Sequence, residues 1–197
     1  AVRQGLHFYY NGFRFSASNM EVLFDPRTRQ IISMSASENV SMSDADQVLT
    51  GGKFHYDAGT GNAEVWENPV MWQGESQIRA ERFRYNENTG VLNMIGSVEA
   101  VTILPESADL GDVDPGDGDE QADRKIYLTA GNGTYYEMKD SVEFQDDVKM
   151  SWGIWKTRSD SLRMDIARDT GELKGADALG NVVIDHESFQ AKGHSLT

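Results

Sequence analysis

The chain has 197 residues, a formal net charge of −14, four histidines and no cysteine. A chain this acidic is a poor partner for nucleic acid, whose binding rests on Lys and Arg neutralising phosphates. It holds no run of about 18 apolar residues, so no helix of it is expected to span a bilayer, and without cysteine it depends on no disulfide.

Ala1-Val2-Arg3-Gln4-Gly5 opens the chain with no signal peptide, as expected where an export or anchor segment has been removed. From residue 15 a short pattern recurs: an apolar residue, a small one two places on, then two larger apolar residues three and five places later. The six copies are Phe15-Ala17-Met20-Val22, Leu49-Gly51-Phe54-Tyr56, Ile78-Ala80-Phe83-Tyr85, Leu128-Ala130-Gly133-Tyr135, Thr157-Ser159-Leu162-Met164 and Phe189-Ala191-His194-Leu196. Steps of two are the β period and keep side chains on one face. The step of three would throw the second pair to the opposite face, so an extra residue, a bulge, is expected in each of these strands.

Each copy is followed by a turn and a return segment. Asp25-Pro26, Asp57 to Gly61, Asn86 to Gly90 and Asp169 to Gly171 carry turn chemistry, with Gly where a positive backbone angle is needed. Ile32/Met34, Val65, Leu92/Met94, Val142/Phe144 and Leu173 mark the return strands. A third stretch sets a polar or turn residue before Val: Val40/Met42, Val70/Trp72, Val98/Ala100, Val148/Met150 and Val182/Ile184. Intervals between copies are 34, 29, 50, 29 and 32 residues, so one unit holds an insertion. Residues 105–124 contain eight acids and one base, with almost nothing apolar after Leu110. That stretch reads as a mobile acidic loop. Asp112, Asp114 and Asp123 echo a calcium loop, but the sixth place wants Gly and holds Asp117.

Catalysis finds no motif. His7, His55, His186 and His194 lack metal-ligand spacing, and neither a phosphate loop nor a nucleophile elbow is present. No metal or cofactor is expected, and the chain reads as a non-enzyme. Arg79, Arg82 and Arg84 fall on outward positions and read as solvated strand-face charges. The distinctive surface is the inward face, with Phe54, Tyr56, Trp66, Trp72, Phe83, Tyr85, Met94, Tyr135, Phe144, Met150, Leu162 and Met164 set against small residues. These residues either fill a closed core or line an open apolar trough suited to acyl chains.

The run from Val70 to Val98, with its Gln73-Gly74 turn, Ile78-Arg79-Ala80 strand, Phe83 and Tyr85, Thr89-Gly90 turn and Gly96-Ser97-Val98 strand, resembles the repeat of the periplasmic lipopolysaccharide-transport proteins of the OstA/LptA type. Leu128 to Tyr135 and Leu173 to Val182 follow the same grammar. The resemblance covers about residues 15 to 197. It implies an all-β fold, an open, twisted β-jelly roll whose two sheets form a V-shaped trough, built from about six repeats of two to three antiparallel strands. On that reading 1–197 is a single domain with the acidic insert at 105–124. The protein would be periplasmic, attachment to the inner membrane through a missing N-terminal segment being left open. It would hold the acyl chains of lipopolysaccharide or a related lipid in the trough and carry or bridge it towards the outer membrane. Implied partners are related β-jelly-roll domains meeting edge to edge, or further copies of the chain, head to tail. The alternative is a structural or adhesive β-repeat protein with a closed core that binds polysaccharide or protein on an outer face.

Overall fold

In a computed structural model of the chain, residues 6–10, 12–103, 125–167, 173–186 and 188–196 are described. The acidic insert at 105–124 and the Asp169 to Gly171 turn lie outside them. The described residues form an antiparallel all-β fold with one turn of 3-10 helix at Glu137–Lys139 and no α-helix. None of their helices is long and apolar enough to cross a membrane. The chain packs as two compact units, residues 1–96 and 97–197.

The first unit holds β1 (Leu6–Tyr10), β2 (Phe13–Ala17), β3 (Asn19–Phe24), β4 (Ile31–Ser43), β5 (Gln47–Asp57), β6 (Asn62–Trp66), β7 (Val70–Gln73), β8 (Ser76–Arg79) and β9 (Arg82–Asn86). β10 (Val91–Ile103) begins in it and continues into the second unit. Strand order in the first unit is β1-β2-β4-β5-β6-β9-β10, with β3 on β4 and the β7-β8 hairpin on β5. The second unit adds β11 (Lys125–Tyr136), β12 (Ser141–Trp152), β13 (Trp155–Ile166), β14 (Leu173–His186) and β15 (Phe189–Leu196), each paired with the next in sequence.

The inward pattern is met by five of the six copies. Met20, Ala36, Phe54, Val65, Phe83 and Met94 stand opposite one another across six strands. From Ala36 onward this row is buried, and Phe15 packs on Phe54 with ring centroids 5.3 Å apart. In the second unit Gly133, Phe144, Leu162 and Ala178 form the matching row. The sixth copy differs, because β15 is the last strand of its sheet: Ala191, His194 and Leu196 are exposed. Leu173 and Ile32, two of the return-strand markers, are exposed near strand ends.

The phase break is present, but the extra residue sits in the neighbouring strands and not in the strand that opens each unit. Glu38 and Asn39 of β4 oppose the single Gly52, Asp146 and Asp147 of β12 oppose the single Asp160, and Gly180 and Asn181 of β14 oppose the single His194. Every such pair is left-handed, at φ 61° and 56°, 70° and 53°, and 74° and 47°; Glu67-Asn68 at 65° and 57° and Gly96-Ser97 at 74° and 44° complete the series. Two consecutive positive φ angles turn the strand sharply, and Asn, Asp and Gly tolerate them best. A residue earlier in the chain donates its amide to the first carbonyl of the pair: Ser18 to Glu38 at 2.8 Å, Gly52 to Glu67 at 2.9 Å and Glu81 to Gly96 at 3.0 Å.

At the other end of the strands the turns are closed by side-chain caps. Asp57 Oδ1 accepts from the Thr60 amide at 2.8 Å and the Thr60 hydroxyl at 2.9 Å, and Asn86 Oδ1 accepts from the Asn88 and Thr89 amides at 3.1 Å each. The Thr60 amide and hydroxyl hold the Asp57 carboxyl below the usual 3.8, and the Thr28 and Arg27 amides do the same for Asp25. A depressed folded value means the contribution is present above the unfolded value and is lost as pH falls through the folded one. Asp57→Asn is therefore expected to lower the melting temperature at pH 7 and to converge on the parent as the pH is taken below 3.8. A difference independent of pH in parallel thermal melts would refute that role.

Candidate functional site

The twelve inward candidates separate into three groups. Phe54, Phe83, Met94, Phe144 and Leu162 are buried, none more than 3% exposed, and form the floor of each unit's apolar face. Tyr56, Tyr85, Tyr135, Met150 and Met164 are half-buried. All but Met150 lie one register step further out, in rows that also hold buried Met34 and Val142. Val22, Met34, Tyr56, Ala63, Tyr85 and Leu92 make one such row in the first unit. Tyr135, Val142, Met164 and Ala176 make the equivalent row in the second. The Tyr56 hydroxyl donates to Glu87 Oε1 at 2.8 Å, so the ring's polar tip is satisfied at the rim while its body stays on the apolar face.

Trp66 and Trp72 do not belong to this face, which corrects their expected placement. Trp66 stands in register with Lys53 and Arg82, one residue past inward Val65, and Trp72 stands with Val48 and Gln77, one residue past Met71. For Trp72 the reason is the turning pair. Glu67-Asn68 lies 29 residues after Glu38-Asn39, so Pro69 occupies the place of Val40 and Met71 that of Met42. Aligning Val70 with the valines of the other units shifts the strand by one residue and flips every side chain.

With that register the inward face gains Phe8 and Met71, which the pattern did not single out. They join Phe15, Met42, Leu49 and Ile78 in a continuous row on the other side of the turning pairs. All but buried Phe15 are exposed in part. In the second unit Leu128, Met150, Thr157 and Ile184 form the same row. Beyond it come Ile126 and Trp152, in register, and Trp155, whose ring lies 4.5 Å from that of His186. The 29-residue offset linking Met42 to Met71 was the available signal for the first of these rows.

Charges keep to the other face. Glu64 receives Arg84 at 2.6 Å and Arg82 at 3.3 Å, and Lys53 pairs with Glu67 at 2.6 Å. Among the described residues no three His, Asp or Glu side chains converge as a metal site. Each unit's inward face thus presents methyl, thioether and aromatic groups, part of them accessible.

No protein-family model matches the chain. No curated protein matches it in sequence. A solved backbone does: the crystal structure of LptH, described as the LptA-homologous periplasmic component of the conserved lipopolysaccharide transport device from Pseudomonas aeruginosa, superposes with a TM-score of 0.50. The chain shares the LptH fold. The match covers 72% of this chain and 94% of LptH at 9% identity, so the likeness to LptH is one of backbone path. The all-β, β-jelly-roll expectation agrees with it.

Proposed function

We propose that this protein is a non-enzymatic, periplasmic lipid-binding protein that carries or bridges lipopolysaccharide towards the outer membrane by holding acyl chains on its inward face. The observation that carries this reading is the continuation of the buried floor into half-buried apolar rows, Tyr56 and Tyr85 in one unit and Tyr135 and Met164 in the other, on the fold of a lipopolysaccharide-transport component. A lipid carrier needs apolar groups that are reachable at the rim of such a face. An acyl chain of about twelve carbons supplies about 10 kcal/mol of burial before its ordering cost, sufficient for binding without any charged contact. Chains held by contact alone leave the anionic head group in solvent, which suits a protein of net charge −14.

On this reading the two units act as parts of one domain, and the exposed edge strand β15 is where a related β-jelly-roll domain or a further copy adds by strand pairing. The test is a photoreactive phenylalanine analogue placed at Tyr56, at Tyr135 and, as control, at outward Trp72. Crosslinks to lipopolysaccharide are expected from the first two positions and not from the third. Equal yields at all three, or none at the tyrosines, would defeat the proposal. The closed-core alternative is favoured by a specific observation, the near-complete burial of Phe83, Met94 and Phe144. It predicts no crosslink at either tyrosine.

A further inference from the structure

The outward face of the first unit carries a groove of about 420 Å³, within the range of small-molecule sites. Its floor is Ser35 and Ser37 of β4, one wall is Asn19 and Glu21 of β3, and the other is Lys53 and His55 of β5 with Trp66 of β6. The register accounts for the hollow. Asn19, Ser37, Lys53 and Trp66 stand side by side in one outward row, and Glu21, Ser35 and His55 in the next. Serine on the central strand is too short to fill the space that the longer flanking side chains enclose.

The walls are held in place. The Arg82 guanidinium lies 5.9 Å from the centre of the Trp66 ring and is itself tied to Glu64 at 3.3 Å, which fixes the indole against the sheet. His55 Nδ1 is 3.0 Å from Ser35 Oγ, and the charge of Lys53 is met by Glu67 at 2.6 Å. Glu21 is then the one lining charge without an ion pair among the described residues, and Met20, Ala36 and Phe54 of the same three strands add apolar surface to the lining. An aromatic face beside hydroxyl, amide, carboxylate and imidazole groups suits a ligand that is apolar on one side and carries hydroxyls at its edges.

We infer that this groove binds a neutral sugar, with the C–H face of a pyranose ring against Trp66 and its hydroxyls on Ser37, Asn19, Glu21 and His55. Such a ring comes either from the saccharide part of a lipopolysaccharide or from a free glycan, and the site recognises what they share. It does not depend on the lipid reading, because it lies on the opposite face of the sheet.

The experiment is a titration of the isotopically labelled protein with maltotriose, with N,N′-diacetylchitobiose and with deacylated lipopolysaccharide saccharide, followed by nuclear magnetic resonance. Saturable shifts are expected at the Ser35, Ser37 and Lys53 amides and the Trp66 indole. Trp66→Ala is expected to weaken binding about tenfold, with Trp66→Phe retaining part of it, as loss of one aromatic platform requires. Ser37→Leu fills the floor and abolishes binding while leaving the Trp66 environment and the thermal melt intact. A response confined to the lipopolysaccharide saccharide assigns that source, and a response to the neutral oligosaccharides assigns a free glycan. No saturable shift with any of the three, or binding indifferent to both Trp66→Ala and Ser37→Leu, overturns the inference. Crosslinking at Tyr56 and Tyr135 reports separately on the inward face.

Discussion

Phe83→Ala is expected to reduce the unfolding free energy by about 3 to 5 kcal/mol, among the largest effects that a single substitution in this chain can have. Phe83 is 2% exposed and stands between Val65 and Met94, themselves 3% and 1% exposed, in the buried part of a six-strand inward row. Removing its ring forfeits the transfer free energy of six carbons and leaves a void that the flanking strands β6 and β10 cannot close by shifting, since both are locked in ladders. A side chain equally large but outward, Tyr127 at 50% exposure, is the control, and its truncation to Ala is expected to change stability by no more than about 0.5 kcal/mol. Equilibrium urea unfolding of both variants decides the matter. A loss below about 1 kcal/mol at Phe83 would mean that this row is not packed as described.

The second large effect is expected at Gly51. A Cβ there would come within 2.5 Å of Val65 Cγ1 and 3.2 Å of the Trp66 carbonyl oxygen. Neither can yield easily, for Val65 is buried in the core cluster and the carbonyl is backbone. Gly51→Ala is accordingly expected to cost about 1 to 3 kcal/mol by overpacking. Val65→Ala on its own opens a cavity. Combined with Gly51→Ala it vacates the space that the new methyl group needs, so the double variant should be more stable than the sum of the two single losses by about 0.5 kcal/mol or more. Strict additivity in the same urea series would refute the contact.

The repeat and its inward face were legible in the sequence because they rest on the β period, which sorts side chains by parity alone. Phe15, Phe54, Phe83, Leu128 and Leu162 are buried as that parity requires. The turns at Asp57 and Asn86 were legible too, since a capping oxygen followed by Gly is a local device. What parity cannot supply is the place where it resets. Sequence spacing shows a step of three but not which strand contains the extra residue, because either a bulge in one strand or a two-residue turn in its neighbour restores the face. In the second unit of the repeat the ambiguity had consequences: Pro69 stands where the other units have Val, and Val70 offered a false match that carried Trp72 inward with it. Trp66 was misplaced for a simpler reason. Large aromatic rings are expected inside, yet here the ring stands on the charged face with the Arg82 guanidinium 5.9 Å from its centre.

The half-buried rim was the other part that sequence could not separate from the floor. Tyr56 and Phe54 occupy equivalent parities on one strand, and only the depth of the neighbouring strands distinguishes them. Phe54 is covered from both sides by Ala36 and Val65, whereas Tyr56 reaches Glu87 at the turn.

Among the described residues of the second unit every strand from β11 to β15 pairs only with its neighbours in chain order. Such an arrangement makes assembly a matter of adding one hairpin to the last, with loop closures that are short and entropically cheap at each step. It also makes the sheet extensible: a duplicated stretch of about 30 residues, entering between two hairpins, would find its own partners without breaking an existing ladder, as in other linear arrays held by nearest-neighbour contacts. Length in this architecture is thus a quantity that duplication can change in whole units, while each turning pair keeps its own strand in step.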